Sequence, residues 1–583
     1  MEEKTKGISE DWLALLLGLF IFIVSLGVFG GVDLLGWGVS TKTWTDVGKS
    51  ISPISKNYQT IKGEITKIDG QKLTLKLADG KEDTVTVKED TTLLKTGDMY
   101  VKNGISGLFS LILTYLAMLI LLCVGAYLMR IDIPRFILGF TVIFWLSYIC
   151  WLCGSYAYIA ATKNQLDTFK IPWALSLTGE SGFIIALIVG LIMGNFFPGI
   201  TDKLKEAIRP ELYIKTAIVI MGAGLGVTAA ESFTLASAVL FRGFCAIVEA
   251  YLIYWAIVYY IARKYFKFSP EWAAPLASGI SICGVSAAIA VGGAIRARPM
   301  IPIMVSSLVV IFAVVEMLIL PFAAQHWLWR EPMVAGAWMG LAVKTDGGAV
   351  ASGAITEALI RAKALDMEGI RYQEGWITMA ATTVKMFIDV FIGIWAFVLA
   401  IIWCAKIECK EGDKVRVIEI WQRFPKFVIG YVVTFVLLVA LCFPYTSAVA
   451  PLDKQTKDIK QDISMLEKNL VTASDEAVKA DLNQKIKDDK DKIAVLDDQA
   501  KKPRKMIASA KLATGESNIF RVMFFVLTFF TIGMVSNFRK LWEEGIGKLA
   551  AVYVISLFGF IIWIGLFISW LFFHGVKPPI IAG

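Results

Sequence analysis

Residues 278–293 read Ser278-Gly279-Ile280-Ser281-Ile282-Cys283-Gly284-Val285-Ser286-Ala287-Ala288-Ile289-Ala290-Val291-Gly292-Gly293. Six of the nine residues before Ala287 are Ser, Cys or Gly. Such a run is a poor continuous helix, because Gly costs about 1 kcal/mol against Ala in a helix interior. Broken backbone at membrane depth is tolerated only where protein buries it or a wet cavity meets it. A helix restarting near Gly284 would aim free N–H groups and a positive dipole end at a bound anion. Gly284 would let backbone approach that ligand, and Ser281 and Ser286 could add hydroxyls around Cys283. The competing structural explanation is close helix packing through small residues.

The theme recurs at Trp338, Gly340 and Lys344-Thr345-Asp346-Gly347-Gly348, followed by Ala349-Val350-Ala351-Ser352-Gly353. Charged residues amid apolar ones are costly in lipid and should face a cavity or each other. Lys344 and Thr345 can hold an anion, while Asp346 can carry a proton or help hold a sodium ion. The plainer alternative is a short exposed turn between two half-spans. Lys385 and Asp389, four apart, share one helical face as a salt-bridged pair or part of a site. Glu249 and Glu316 lie near the middles of apolar segments, as proton-relay groups or packed, protonated acids. Asp346, Lys385, Asp389, Glu249 and Glu316 are therefore the candidate ion-coupling residues.

Around these runs the chain has 583 residues, 56% hydrophobic and only 19% charged, with mean hydropathy +0.63. A soluble domain carries about 25% charged residues. Thirteen apolar segments approach the roughly 20 residues that cross a bilayer. They lie near 12–35, 105–129, 134–161, 180–197, 212–233, 239–263, 271–296, 301–323, 336–356, 377–407, 425–444, 518–538 and 547–574. The fourth, seventh and ninth fit least well, being short or rich in Gly and Ser. The first reads as a retained anchor, since no cleavage motif ends it.

Only two histidines are present, and the eight cysteines lie mostly in apolar runs. This argues against haem, zinc or His-based catalysis and offers no disulfide framework. Cys150 and Cys153 form a C-x-x-C inside an apolar helix, where packing explains them. The net charge of +8 has no basic strip with interleaved aromatics, so nucleic acid is excluded as a partner. No metal or resident cofactor is expected, beyond a coupling sodium ion or proton. No Walker motif and no enzymatic constellation appears. The expected partners are a small anionic substrate, the lipid bilayer and a second copy in a homo-oligomer.

Lys and Arg in the even-numbered loops place that side in the cytoplasm. Arg130 and Arg135, Lys203, Lys205 and Arg209, Arg263, Lys264 and Lys267, Lys406 to Arg423, and Arg539, Lys540 and Lys548 all share it. Arg296 and Arg298, and Arg361, Lys363 and Arg371, fall on the wrong side. Either segment seven or nine does not simply cross, or these residues serve a substrate.

The organisation reads as an anchor over 1–35, a water-soluble β insertion over 36–104, a transmembrane core over 105–444, a helical-hairpin insertion over 445–517 and a final core part over 518–583. In the first insertion Thr60–Ile68, Gln71–Leu77 and Asp83–Lys88 alternate apolar and polar, with Asp69-Gly70 and Asp79-Gly80 as hairpin turns. This predicts a three-stranded meander, part of a small barrel. In the second, Ile459, Ile463, Leu466 and Leu470 form one helical seam and Val478, Leu482, Ile486, Ile493 and Leu496 another, with Thr472 or Ser474 capping the second helix. Parity puts both insertions outside a bacterial inner membrane. An echo of Val219–Gly226 at Phe529–Met534, seven segments on, fits an inverted-topology repeat.

Ser281-Ile282-Cys283-Gly284-x-Ser286-Ala287 resembles the signature of the YeiH-type family of bacterial membrane proteins, described as sulfate exporters. Trp338-x-Gly340 leading to Val350-Ala351-Ser352-Gly353 is similar to its second signature, and Phe424–Gly430 and Ile532-Gly533-Met534 sit where such sequences have them. The resemblance covers roughly 180–444 and 515–574. It implies an all-α secondary-transporter fold related to the cation/proton antiporter and bile-acid symporter superfamily, with discontinuous crossed helices, and export of sulfate or a small organosulfonate. Family members tend to carry a His and an acidic residue where this chain has Lys344 and Thr345, a departure that bears on the coupling ion. The alternatives are a cation/proton antiporter and, from another class, a membrane scaffold or sensor acting through its outer insertions.

Overall fold

The computed structural model describes residues 7–69, 72–77, 82–86, 95–298, 300–406, 418, 421, 424–472, 476–536 and 547–581. The turns Asp69-Gly70 and Asp79-Gly80, Lys88, Ser474, Arg539 and Lys540, and most of the 407–423 loop therefore lie outside, or partly outside, the described residues. Ten helices among the described residues are long and apolar enough to cross a membrane. They are α1 (Glu10–Ser25, with its extension to Gly30), α2 (Gly107–Leu128), α3 (Ile133–Gly154), α5 (Pro210–Glu231), α6 (Phe233–Lys264), α9 (Met300–Trp327), α12 (Trp376–Trp403), α13 (Lys426–Thr472), α14 (Glu476–Val535) and α15 (Gly547–Phe573). An eleventh span is α4 (Ser181–Phe196), which bends by 109° into the short helix Pro198–Ala207. Segments four, seven and nine, the weakest of the thirteen in sequence, are the ones that are not single long helices here.

Segments seven and nine do not cross. Segment seven is α7 (Pro270–Ser281) and α8 (Gly284–Ala294), folded back on each other at Ile282-Cys283. Glu271 at its entry accepts from the Arg298 backbone N–H at 2.8 Å and from its Nε at 3.2 Å, so both ends share one face. Segment nine is α10 (Pro332–Ala342) and α11 (Asp346–Glu368), folded back at Val343-Lys344-Thr345. Arg330 before it pairs with Glu368 at its end, at 3.0 Å.

These are two re-entrant helical hairpins, and the span between them, α9, serves as their spine. Gly292 packs on Pro302, Gly279 on Val305 and Gly284 on Val309. Further along, Glu316 accepts from the Lys344 N–H, and Lys363 reaches the Gln325 carbonyl at 3.0 Å. The bases of the hairpins thus sit at opposite ends of α9, and their tips meet near its middle. The expectation of crossed helices is corrected: hydropathy is the same for a half-span that continues and one that turns back. The wrong-side arginines resolve with it, because Arg296 and Arg298 return to the face of Lys264.

Long-range contacts define two ends of the bundle. At one end, Ile8 N–H bonds Leu128 O, Asn195 bonds Ser536 O, and Lys215 pairs with Asp11. At the other, Trp44 N–H bonds Ser155 O, Lys163 pairs with Asp366, Lys511 with Glu231, and Tyr372 bridges to Ile580. The β insertion and the helical hairpin both root at this second end, called the outer end below.

The insertion holds β1 (Val39–Thr41) paired with β2 (Ile51–Pro53), and an antiparallel sheet of β3 (Ile61–Asp69), β4 (Lys72–Leu77), β5 (Glu82–Thr86) and β6 (Met99–Lys102) in the order β5-β4-β3-β6. The meander gains a fourth strand too short to read in sequence, and the described strands close no barrel. Ile61, Ile65, Leu73 and Leu75 form its core, as their alternation requires.

The hairpin arms are not separate from the spans. α13 runs for 47 residues and α14 for 60, each passing from bilayer into coiled arm. Ile463 and Ile486 are buried in the seam, whereas Val478 is 48% exposed. The first arm ends at Thr472 and the second begins at Glu476; the capping of the second arm lies outside the described residues.

Candidate functional site

The eleven residues singled out in sequence converge where the hairpin tips meet. The Gly284 N–H donates to the Lys344 carbonyl at 2.7 Å, joining tip to tip. Gly284 has no room for a Cβ against Val309, so its first role is packing on α9. Ser281 and Cys283 are buried beside it, and Ser286 lies in the first turn of α8.

Each hairpin ends its first helix with carbonyls pointing at the tip and starts its second with N–H groups there. A lysine meets each set of carbonyls. Lys385 on α12 donates to Ile282 O at 2.7 Å, and Lys344 donates to Leu341 O within its own hairpin. Cations at helix C-termini are favourable. The N-termini of α8 and α11 remain as the positive ends of the site, the latter capped by Thr345, whose Oγ1 accepts from Gly348 N–H at 3.1 Å.

The carboxylates are arranged around these tips. Cys283 Sγ and carboxylate oxygens of Asp346 and Asp389 all lie within 4.8 Å of one another. Lys385 Nζ stands 3.6 Å from Asp346 Oδ1, with both side chains buried. The four oxygens of Asp346 and Asp389 have no hydrogen-bond partner among the described residues. Two buried carboxylates so close repel unless a proton or cation accompanies them. Glu316 accepts from Lys344 N–H at 3.0 Å and from Tyr553 O–H at 2.8 Å. Glu249 accepts from Tyr254 O–H, and Lys344 Nζ lies 4.5 Å from the centre of the Tyr254 ring. Glu249 therefore joins the site through an aromatic ring, a link its sequence position could not show.

The approaches to the tips differ. From the outer end a cavity of about 700 Å³ descends between α5, α11, α12 and α14. Its wall includes Glu180, Glu231, Glu357, Arg361, Glu374, Thr378, Lys511 and Arg521. Buried hydroxyls of Ser352 and Thr356, unpartnered among the described residues, continue from Glu357 along α11 toward Asp346. Burial pushes the Glu180 carboxyl above its ordinary range, opposed by the Thr178 hydroxyl that bonds it at 2.7 Å. From the other end a void of about 20 Å³ reaches Thr345 and Gly347, room for about one water. Below it Lys215 pairs with Asp11 at 2.7 Å and Glu211 at 3.1 Å, and Arg209 with Glu10 at 3.0 Å.

Of the charged cavity wall, the sequence reading singled out Arg361 alone, as a charge on the wrong side. Glu357 lies one residue beyond segment nine as drawn from hydropathy, and Arg521 is a lone charge at the start of segment twelve, a signal of the same kind as Lys344.

Fold and site together define a polytopic membrane protein with a buried charged centre between two opposed re-entrant hairpins. The family model described as conserved hypothetical protein 698 matches residues 176–457. A UPF0324 membrane protein of Nitrosomonas europaea is 35% identical over 98% of this chain and 97% of its own length. An uncharacterized protein of Archaeoglobus fulgidus is 42% identical over 35% of this chain and 88% of its own. A UPF0324 membrane protein of Nitratidesulfovibrio vulgaris is 30% identical over 56% of this chain and 50% of its own. The chain belongs to the UPF0324 membrane protein family, the YeiH-type family whose signatures it carries. No solved structure matches it.

Proposed function

We propose that this protein is a secondary active transporter of the bacterial inner membrane, exporting a small anion such as sulfate or an organosulfonate and coupled to a proton or sodium gradient. The observation that carries the reading is the meeting of two hairpins, from opposite ends of α9, at a buried carboxylate pair. Alternating access needs a midplane site with a separate barrier on each side. Hairpin one with the Asp11–Lys215–Glu211 lock would be one barrier, and hairpin two under the outer cavity the other.

The N-termini of α8 and α11 and the two lysines are the groups for an anion. Asp346 and Asp389 take the proton or sodium ion, which releases Lys385 from its ion pair to meet the substrate. Opposed hairpins are compatible with an inverted-topology repeat, although the hairpins lie two segments apart and the echo of Val219–Gly226 at Phe529–Met534 lies seven apart. In this reading the outer end is extracytoplasmic and both insertions lie outside. No enzymatic step is assigned.

A cation/proton antiporter is the second reading. Four acids, Asp346, Asp389, Glu249 and Glu316, gather around two lysines, Lys344 and Lys385, at the tips, an excess that favours cations. Protein reconstituted in liposomes, assayed for labelled sulfate and organosulfonate uptake under imposed proton or sodium gradients, separates the two. Anion uptake that follows the gradient, and falls to background in Asp346→Asn and Asp389→Asn, supports the first. Sodium–proton exchange without anion movement would establish the second.

A further inference from the structure

The charges lining the outer cavity pair off unevenly. Lys511 takes Glu231 at 2.6 Å, and Arg361 takes Glu374 at 3.0 Å. Glu357 is saturated by neutral donors: the N–H groups of Gly375 at 2.7 Å and Ile377 at 3.3 Å, and the Thr378 hydroxyl at 2.5 Å. Two groups are left over, one of each sign. Arg521 gives its Nε to Asn518 Oδ1 at 2.5 Å and lies 5.0 Å from the Phe525 ring centre, but makes no ion pair among the described residues. Glu180 meets one hydroxyl, that of Thr178.

We propose that this cavity is a binding site for a small organic zwitterion, with its oxyanion head on the Arg521 guanidinium and its ammonium toward Glu180. The planar guanidinium, steadied against Phe525, presents paired donors that suit a carboxylate or sulfonate. The wall as a whole carries four carboxylates against three cations. Its field therefore opposes a dianion, tolerates a monoanion through Arg521 alone, and favours a ligand that brings its own positive charge. Ala354, in the cavity wall, is eight residues from Asp346 along α11, or about 12 Å at 1.5 Å per residue. The site would be the first station on the way to the hairpin tips. That last step rests on the transport reading; the binding itself does not.

The test is calorimetry on the full-length protein in detergent with three probes: 2-aminoethanesulfonate, ethanesulfonate and sulfate. Affinity should fall in that order. Arg521→Gln should weaken both sulfonates about ten- to a hundredfold, the loss expected for a hydrogen-bonded charge, and Arg521→Lys should restore part of it. Glu180→Gln should weaken the amino compound and spare ethanesulfonate. Should Arg521→Gln misfold, Arg521→Lys and Glu180→Gln carry the same comparison. Sulfate binding tightest, or sulfonate affinity unchanged in folded Arg521 variants, overturns the inference. Cavity binding that persists while liposomes show no gradient-driven flux of any probe would overturn the transport reading and leave this one standing.

Discussion

Hairpin one and hairpin two share a shape and a meeting point but not a composition. Between Trp272 and Ile295 hairpin one has no charged residue, and its glycines 279, 284 and 292 press on α9. Hairpin two carries Lys344 and Asp346 at its tip, and shows Ala354, Glu357, Ala358 and Arg361 to the outer cavity. Hairpin two is packed as closely, with Gly336 and Gly340 pressing on α12 and Gly347 on Ile214, but it also borders the outer cavity along α11. Displacing either one breaks dense dispersion contacts. The difference teaches that two half-spans with similar hydropathy can share one packing scheme while only one of them faces a polar cavity. Their chemistry is divided the same way: the first supplies backbone, the second supplies charge.

The largest effect that can break this comparison is all-or-none. Cysteines placed at Met300 and Trp327, the two ends of α9, should react from opposite sides in a background lacking the eight native cysteines. An impermeant maleimide should label Trp327→Cys in intact spheroplasts and Met300→Cys only after lysis. Labelling of both from one side would dissolve the opposed hairpins.

Lys385→Met comes next, since this lysine serves Ile282 O on hairpin one and Asp346 on hairpin two. It leaves a buried acid pair without its cation, and removal of one partner of a buried pair costs about 3–5 kcal/mol. Chemical unfolding in micelles should show that loss, and adding Asp346→Asn should recover much of it.

Gly284→Ala sharpens the contrast in packing. The new methyl meets Val309 on α9, and overpacking costs about 1–3 kcal/mol. Ala358→Ser, facing the cavity on hairpin two, should stay within about 0.5 kcal/mol of the parent in the same unfolding assay. Equal costs would erase the distinction between the packed tip and the cavity-facing position.

Smallest are the staples at the hairpin bases. Arg298→Gln and Arg330→Gln each remove an ion pair with well-exposed arginines, worth about 0.2–1 kcal/mol. Thermal shift should show little change in either, and less still at high salt.

Much of this was legible in the chain. The thirteen apolar segments all correspond to helices or hairpins, because burial in lipid imposes a length that hydropathy reads directly. The tips were legible because Ser-Ile-Cys-Gly and Lys-Thr-Asp-Gly-Gly break helix propensity inside apolar runs. Their folding back was not, since it follows from the path of α9 between them, which brings Glu271 to Arg298 and Arg330 to Glu368. The arginines on the wrong side of the charge bias were its trace. The outer cavity was hidden for a similar reason: Glu180, Glu357 and Arg521 come from three distant segments, and the lone charge of Arg521 does not by itself name its neighbours.

The unbroken passage of α14 from bilayer into coiled arm gives the molecule a lever. Residues 476–518 extend about 65 Å at 1.5 Å per residue, and the same rod carries Arg521 and packs its Gly533 against Leu187 and Gly190 of α4. A tilt of about 10° at the membrane would swing the far end of a straight arm by about 11 Å on that length. Rearrangements too slight to see among the spans would then be magnified outside them, where a pair of fluorophores on the arm and the β insertion could read such a tilt as a change in distance.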